Sequence, residues 1–246
     1  MSEYESVMIR TKDRVVITGY LIKRPVQSIH GLSNCTLLYL HANAGNMGHR
    51  LPIARVLWEK LNCNVFMLSY RGYGKSEGQP NEKGIKIDAQ AALDYILKHD
   101  KLKNTKIIVY GQSIGGAVAI HLASQNSHRV NALIVENTFL SIPKLIPSVF
   151  KYLSPFSFLC HQIWDSEKHI KATTDVPILF LSGKHDELIP QSHMKSLYQT
   201  AVHERTKLNG SANDVRFIEF DQGKHNDTCI QDGYFDAIVS FWNSKK

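Results

Sequence analysis

The chain has 246 residues, of which 43% are hydrophobic and 21% are charged. This size, without long polar tracts, predicts a single α/β domain over residues 1–246, and two small domains are the less favoured alternative. No run approaches the ~20 consecutive apolar residues that cross a bilayer, and the first residues lack the pattern of a secretory signal. We therefore expect a cytoplasmic or membrane-associated protein, with no anchor visible in this sequence.

The net charge is +7, from 29 Lys and Arg against 22 Asp and Glu. The basic residues are dispersed and no nucleic-acid motif is present, so we expect no nucleic-acid partner. A solvated basic surface is favoured, and weak attraction to an anionic membrane is the next interpretation. The four cysteines show no C-x-x-C spacing, which favours reduced and mostly buried thiols.

Apolar runs and periodicity predict strands that alternate with helices. Predicted strands lie at Val15–Ile22, Thr36–Leu40, Asn64–Tyr70, Ile107–Tyr110, Ala132–Val135, Val176–Leu181 and Val215–Phe220. Predicted helices lie at Ile53–Leu61, Ile85–Ile96, after Ser113, at Met194–Val202 and at Phe235–Trp242. This order predicts an α/β fold with a mostly parallel central sheet flanked by helices, and a ligand crevice beyond the carboxyl ends of the strands.

Residues 140–174 interrupt the alternation with an apolar, aromatic-rich stretch that three prolines divide. An ordinary packing helix with connectors is one interpretation. A short helical cap over the site is favoured, because long insertions of this kind are usually functional. An apolar cap would suit an acyl chain.

The motif Gly111-Gln112-Ser113-Ile114-Gly115 follows a predicted buried strand and opens a predicted helix. A glycine-rich turn would give the same five residues. The strand–turn–helix context favours a nucleophile, because a sharp turn lifts the Ser113 hydroxyl out of the sheet. Free N–H groups at the helix start would then face developing negative charge.

A nucleophilic serine needs an acid and a histidine. Asp186 follows the strand that ends at Leu181, where a carboxylate can orient an imidazole, although it could also cap the next helix. Its neighbour Glu187 is expected to point elsewhere, and Glu136, one strand earlier, is the second candidate acid. His225 lies in the loop between the last strand and the last helix. The chain order serine, aspartate, histidine is that of α/β-hydrolases.

The segment His41–Asn46 follows the strand at Thr36–Leu40, and we predict an oxyanion hole from the backbone N–H groups of Asn43 and Ile114. His41 is expected to be structural. The glycine-rich segment Arg71–Gly78 carries no phosphate-binding motif and is expected to support the site. We expect no metal and no cofactor, since no metal-ligand spacing is present.

With these motifs in place, the chain resembles α/β-hydrolase-fold serine hydrolases, most closely the bud-emergence-like subgroup. The resemblance rests on residues 41–46, 71–78, 111–115, 136–142, 186–190 and 225–228. It implies that Ser113 is the nucleophile, Asp186 the acid and His225 the base. Ala42 stands where the family usually has glycine, and family members typically carry an N-terminal membrane anchor.

The expected activity is hydrolysis of carboxylic esters or thioesters of small-molecule or lipid-like acyl substrates through an acyl-enzyme intermediate. A protein S-depalmitoylating thioesterase is an alternative, and a peptidase ranks last. A non-catalytic scaffold is disfavoured because the serine, the acid and the histidine are all present. Peripheral membrane contact is compatible with each enzyme.

Overall fold

The computed structural model describes residues 4–26, 31–44, 47–149 and 160–245. Its strands are β1 Glu5–Arg10, β2 Val16–Ile22, β3 Cys35–Leu40, β4 Asn64–Ser69, β5 Lys106–Gln112, β6 Val130–Glu136, β7 Ile178–Gly183 and β8 Val215–Phe220. Its helices are α1 Met47–Leu61, α2 Glu82–Lys98, α3 Ile114–Gln125, α4 Ile142–Val149, α5 Ser166–Ile170, α6 Gln191–Asn209 and α7 Tyr234–Asn243. A 3₁₀ turn covers Thr228–Ile230.

The strands form one sheet in the spatial order β1-β2-β4-β3-β5-β6-β7-β8. Strands β1 and β2 are antiparallel to their neighbours, and all pairs from β4 to β8 are parallel. The chain leaves β3, returns to β4 on one side, and later places β5 on the other side. The loops after β3 and β5 therefore diverge at a switch point of the strand order, where open α/β sheets bind ligands.

Two apolar cores cover the two faces of the sheet. On one face, α2, α3 and α6 pack with residues such as Ala89, Val118 and Leu197. On the other face, α1 and α7 pack with residues such as Leu57 and Trp242. Strands β3, β4 and β7 are buried along their whole length, which explains why they occur in the sequence as continuous apolar runs.

The predicted fold class is confirmed, and several element bounds differ from the predictions. Strand β1 lies at the sheet edge, and only Val7 and Ile9 are buried in it, so its apolar pattern is weak. Helix α1 begins at Met47, before the predicted start at Ile53. It contains Pro52, a residue that is typical of the first turn of a helix and so favoured the later start. Helix α6 extends to Asn209, beyond the predicted end at Val202. Its last turns carry mostly polar residues, and without an apolar stripe the sequence gives no periodic signal for them.

The predicted cap contributes α4, α5 and the segment between Cys160 and Asp165 to the described residues. Glu82 ties it to α2, since its carboxylate accepts the N–H of Ile163 at 2.6 Å. The cap residues Phe150, Leu153, Pro155, Phe156, Phe158 and Leu159 lie outside the described residues, as do Gly45 and Asn46 of the loop after β3. The bounds predicted for the domain and for the cap stay predictions.

Among the described residues, no helix combines the length and the apolarity that a membrane crossing requires. All four cysteines are free thiols, and Cys35, Cys63 and Cys229 are buried.

Candidate active site

Ser113 lies on a strained turn between β5 and α3. Its backbone has φ 57° and ψ −124°, a conformation that costs energy for a residue with a side chain. Glycines make this turn sterically feasible: a Cβ at Gly111 would lie 2.1 Å from the carbonyl oxygen of Gly115. A Cβ at Gly115 would lie 2.2 Å from the carbonyl oxygen of Leu40. The turn therefore packs directly against the end of β3.

Strand β6 and the residues after it hold the turn in place. The N–H of Ser113 donates to the carbonyl of Glu136 at 2.9 Å. The hydroxyl of Thr138 donates to the carbonyl of Ser113 at 2.7 Å. The backbone N–H and the backbone carbonyl of Ser113 thus both have partners, which fixes the strained residue and holds its side chain above the sheet edge.

The structure brings Ser113, His225 and Asp186 together. His225 Nε2 lies 3.1 Å from Ser113 Oγ, and His225 Nδ1 lies 2.8 Å from Asp186 Oδ2. The carboxylate accepts a hydrogen bond from Nδ1–H, and in this tautomer the lone pair of Nε2 faces the hydroxyl. This geometry allows the imidazole to accept the hydroxyl proton during attack on a carbonyl carbon.

Asp186 is held in a fixed orientation. Its side chain is 1% exposed, and its Oδ1 accepts the N–H groups of Leu188 at 2.9 Å and Ile189 at 2.8 Å. Three donors to one carboxylate keep it aligned with the imidazole.

Side chains from three other elements hold the backbone of His225. Its N–H donates to Glu187 Oε2 at 3.3 Å. Glu187 therefore faces the backbone of the histidine, whereas we expected this side chain to point elsewhere. Its carbonyl accepts from Gln112 Nε2 at 3.0 Å and from Asn137 Nδ2 at 3.4 Å. Sequence reasoning missed Gln112 and Asn137 as supports. Their positions directly before Ser113 and directly after β6 were the available signal.

Glu136, the second candidate acid, does not contact the imidazole ring. Its carboxylate is fully buried and accepts hydrogen bonds from the hydroxyls of Tyr110 and Tyr234. Burial raises the pKa of this carboxyl above its usual range, and the donors and nearby positive charge oppose the rise. The acid beside the imidazole is therefore Asp186.

The two residues predicted to supply the oxyanion donors line the same cavity. Asn43, in the loop after β3, and Ile114, the first residue of α3, line one cavity with Ser113 and His225. The first N–H groups of a helix have no partner within the helix, so the N–H of Ile114 is available to an anion. Tyr73 donates its hydroxyl to Asn43 Oδ1 at 2.5 Å, which fixes the loop that carries Asn43.

His41 packs beneath this loop and does not reach the reacting groups. Its ring lies 4.3 Å from the ring of Tyr70, and its Nδ1 lies 2.7 Å from the carbonyl oxygen of Ala42. Tyr70 donates its hydroxyl to the carbonyl of His41 at 3.1 Å. Burial lowers the pKa of His41 from 6.5 to about 4, so the ring is neutral at neutral pH. The geometry fits the structural role expected for it.

Arg71 joins the segment Arg71–Gly78 to two carboxylates. Its guanidinium lies 2.8 Å from Asp88 on α2 and 2.8 Å from Asp13 before β2. Asp88 is fully buried and also accepts the Arg71 N–H at 2.8 Å. This network fixes the start of the loop that carries Tyr73.

A cavity of about 740 Å³ opens above Ser113. Most of its lining is apolar, and α4, the loop after β7 and Trp164 supply much of it. The apolar lining includes Tyr73, Ile85, Phe139, Ile142, Leu145, Ile146, Val149, Trp164, Leu188 and Ile189. Ser113, His225 and Asn43 supply polar groups at one side of this lining, and Asn81 and Gln162 supply others near the start of α2. A mostly apolar lining with a few polar groups is typical of a small-molecule site.

Across the described ranges, no group of three His, Cys, Asp or Glu side chains is placed to hold a metal ion. His121 and His169 form a pair, with Nδ1 of the first 3.2 Å from Nε2 of the second.

A family profile of the alpha/beta hydrolase fold matches residues 36–156. Protein bem46 of Schizosaccharomyces pombe is 52% identical over 240 residues, which cover 97% of this chain and 76% of that protein. The uncharacterized membrane protein YNL320W of Saccharomyces cerevisiae is 40% identical over 239 residues, which cover 97% of this chain and 79% of that protein.

Among solved structures, the Pyrococcus furiosus esterase Pf2001 is similar in fold, with a TM-score of 0.77 at 18% sequence identity. The similarity covers 98% of this chain and 92% of that one. The chain belongs to the α/β-hydrolase family and, within it, to the bud-emergence-like proteins that resemble bem46. Family membership and fold support hydrolase activity.

Proposed function

We propose that the protein is a serine hydrolase that cleaves carboxylic ester or thioester bonds of acyl substrates. The observation that carries this proposal is the hydrogen-bonded series from Ser113 Oγ through His225 to Asp186 Oδ2, with contacts of 3.1 and 2.8 Å. The series opens into an apolar cavity.

The proposed reaction has two steps. His225 Nε2 takes the Ser113 proton as Oγ attacks the carbonyl carbon, and the backbone N–H groups of Asn43 and Ile114 stabilise the oxyanion. The imidazolium then protonates the departing alcohol or thiol, which leaves an acyl-serine. In the second step His225 activates water, which releases the acid and restores the hydroxyl. None of these steps requires a cofactor.

The cavity supports an acyl chain as the preferred group. Its volume of about 740 Å³ lies in the range of small-molecule sites, and apolar side chains of α4 and of the loop after β7 face the space above Ser113. Burial of each methylene there contributes about 0.8 kcal/mol to binding.

A substrate panel tests the proposal. Short and long p-nitrophenyl esters, long-chain acyl-CoA thioesters and peptide amides are assayed with the wild type and with Ser113→Ala. We expect hydrolysis of esters or thioesters, a preference for longer chains, no peptide cleavage, and loss of activity in the variant. Equal rates for the two proteins would refute a serine mechanism.

The thioester readout separates the two enzyme candidates. A protein S-depalmitoylating thioesterase should favour long-chain acyl thioesters over oxygen esters of the same length. A non-catalytic scaffold should hydrolyse neither, although its folded state and its ligand binding would persist.

Peripheral membrane contact forms part of the proposal. Val149 and Leu188 line the cavity yet are 39% and 44% exposed, so the mouth presents apolar side chains to the outside. Sedimentation with liposomes, with and without anionic lipid, tests this contact. Binding that high salt weakens would support a contribution of the basic charge, and no binding under any condition would dismiss the contact.

A further inference from the structure

A buried polar cluster lies below the loop that carries His225. At its centre is Glu136, whose side chain is fully buried at the end of β6. Its Oε2 accepts the hydroxyls of Tyr110, on the neighbouring strand β5, and of Tyr234 on α7, the latter at 2.5 Å. Its Oε1 accepts from Gln112 Nε2 at 3.3 Å. Within the described part of the chain, the partners of this carboxylate are hydroxyl and amide groups, and no cationic side chain bonds to it.

Gln112 connects the cluster to the histidine. Its Nε2 donates to Glu136 and also to the carbonyl of His225 at 3.0 Å. The amide oxygen of Gln112 is buried without a hydrogen-bond partner, so the two N–H donors account for its orientation. A carboxylate can only accept hydrogen bonds, and Glu136 therefore requires that the NH₂ group, and not the oxygen, face it. That choice directs the second N–H to His225.

Burial raises the pKa of the Glu136 carboxyl, and the hydrogen bonds from the Tyr110 and Tyr234 hydroxyls oppose the rise. Asp186 and Glu187 face His225 from the loop after β7. The other titratable groups near Glu136 are Tyr39 on β3, Arg50 on α1 and Cys229 in the 3₁₀ turn.

We propose that Glu136 is a positioning residue for acyl transfer. Its buried carboxylate orients Gln112, which holds the His225 loop against Ser113. A buried carboxylate without a bonded cation is costly, and a neutral side chain of similar size would be cheaper for stability alone. The inference rests on the proposed serine hydrolase function and adds a second carboxylate to it.

The variant Glu136→Gln keeps the volume and removes the charge. For hydrolysis of a short p-nitrophenyl ester, we expect kcat to fall about tenfold while KM changes by less than about twofold. An amide at this position offers a donor as well as an acceptor, so it no longer dictates which end of Gln112 faces it. A merely structural role would lower the melting temperature without separating kcat from KM in this way.

Tyr39→Phe is the control. Tyr39 is buried near Glu136 but makes none of the hydrogen bonds to it, so loss of its hydroxyl leaves those bonds intact. We expect wild-type kcat and KM. Gln112→Met removes the amide bridge and leaves Glu136 in place, so kcat should fall to a similar extent.

Wild-type kcat in Glu136→Gln would overturn the inference. If that variant does not fold, unchanged kcat in Gln112→Met would overturn it instead. Failure of the proposed function is distinguishable, because the wild type itself would then neither hydrolyse the ester nor react with a fluorophosphonate at Ser113.

Discussion

At Ser113, geometry and chemistry depend on the same backbone strain. The positive φ aims Oγ away from the sheet, and the glycines on either side leave room for β3, β5 and α3 to meet. That close approach brings the N–H of Ile114 and the loop of Asn43 to one cavity. One turn therefore positions Ser113, the proposed nucleophile, together with the groups proposed to stabilise the oxyanion.

The contact between Asp186 and the imidazole of His225 can be tested with a single substitution. In Asp186→Asn, the imidazolium loses its bonded anion, and we expect kcat for a p-nitrophenyl ester to fall about 10³–10⁴-fold with the fold intact. The comparison is Glu187→Gln, whose amide oxygen can still accept the His225 N–H and which should lose less than about tenfold. Activity of Asp186→Asn within about tenfold of wild type would contradict the assigned pairing.

Much of the site was predictable from the sequence because each main side chain directly follows a strand. Ser113, Asp186 and Asn43 come after the buried runs of β5, β7 and β3, and such runs are visible as continuous apolar segments. The supports of His225 were not predictable in the same way. Gln112 and Asn137 reach the histidine across 113 and 88 positions, and only the packed sheet brings these residues together.

At the scale of elements, the loop after β4 is fixed by its attachment to α2. Arg71 contacts Asp88, which has no exposed surface, and Asp13, which is partly exposed. The Arg71 guanidinium holds the pKa of Asp13 well below its usual range, whereas burial raises the pKa of Asp88. Because water can solvate the carboxylate of Asp13 but not that of Asp88, the stability of the folded protein depends more on the contact of Arg71 with Asp88.

Replacement of Arg71 by methionine leaves Asp88 as a buried, unpaired carboxylate. We expect the free energy of unfolding to fall by about 3–5 kcal/mol, as measured by urea denaturation. Asp13→Asn, which removes the more exposed partner, should cost about 1 kcal/mol or less. Equal losses in the two variants would show that burial does not govern this network.

The elements themselves were predictable to different degrees. Strands buried on both faces and the short final helix have clear apolar patterns. Helix α6 contains polar stretches that carry no periodic signal, and its end at Asn209 depends on Gly210, which adopts φ 73°. Strand β1 exists because β2 pairs with it in register, an effect that its own six residues do not encode.

At the scale of the whole molecule, buried histidines predict sensitivity to acid. Burial lowers the pKa of His41 and of His121 from 6.5 to about 4 in the folded protein. The unfolded chain therefore binds more protons between these values, so stability is present above about pH 6.5 and is lost as pH falls toward about 4. His41 alone corresponds to about 3 kcal/mol, and the half-buried His121 to less.

Thermal unfolding between pH 7.5 and pH 4.5 measures this loss. We expect the melting temperature to fall steadily below about pH 6.5. The melting temperature of the variant His121→Gln should fall less over the same pH interval, since one of the two groups with a lowered pKa is gone. A melting temperature that stays constant or rises toward pH 4.5 would contradict the assignment of neutral buried rings.

Covalent labelling by a fluorophosphonate shows whether His225 and Asp186 activate Ser113. We expect one label per chain, found on the peptide with Ser113, abolished in Ser113→Ala and strongly slowed in Asp186→Asn. Resistance of the folded wild-type protein to the reagent, or a label on another residue, would rule out this activation of Ser113.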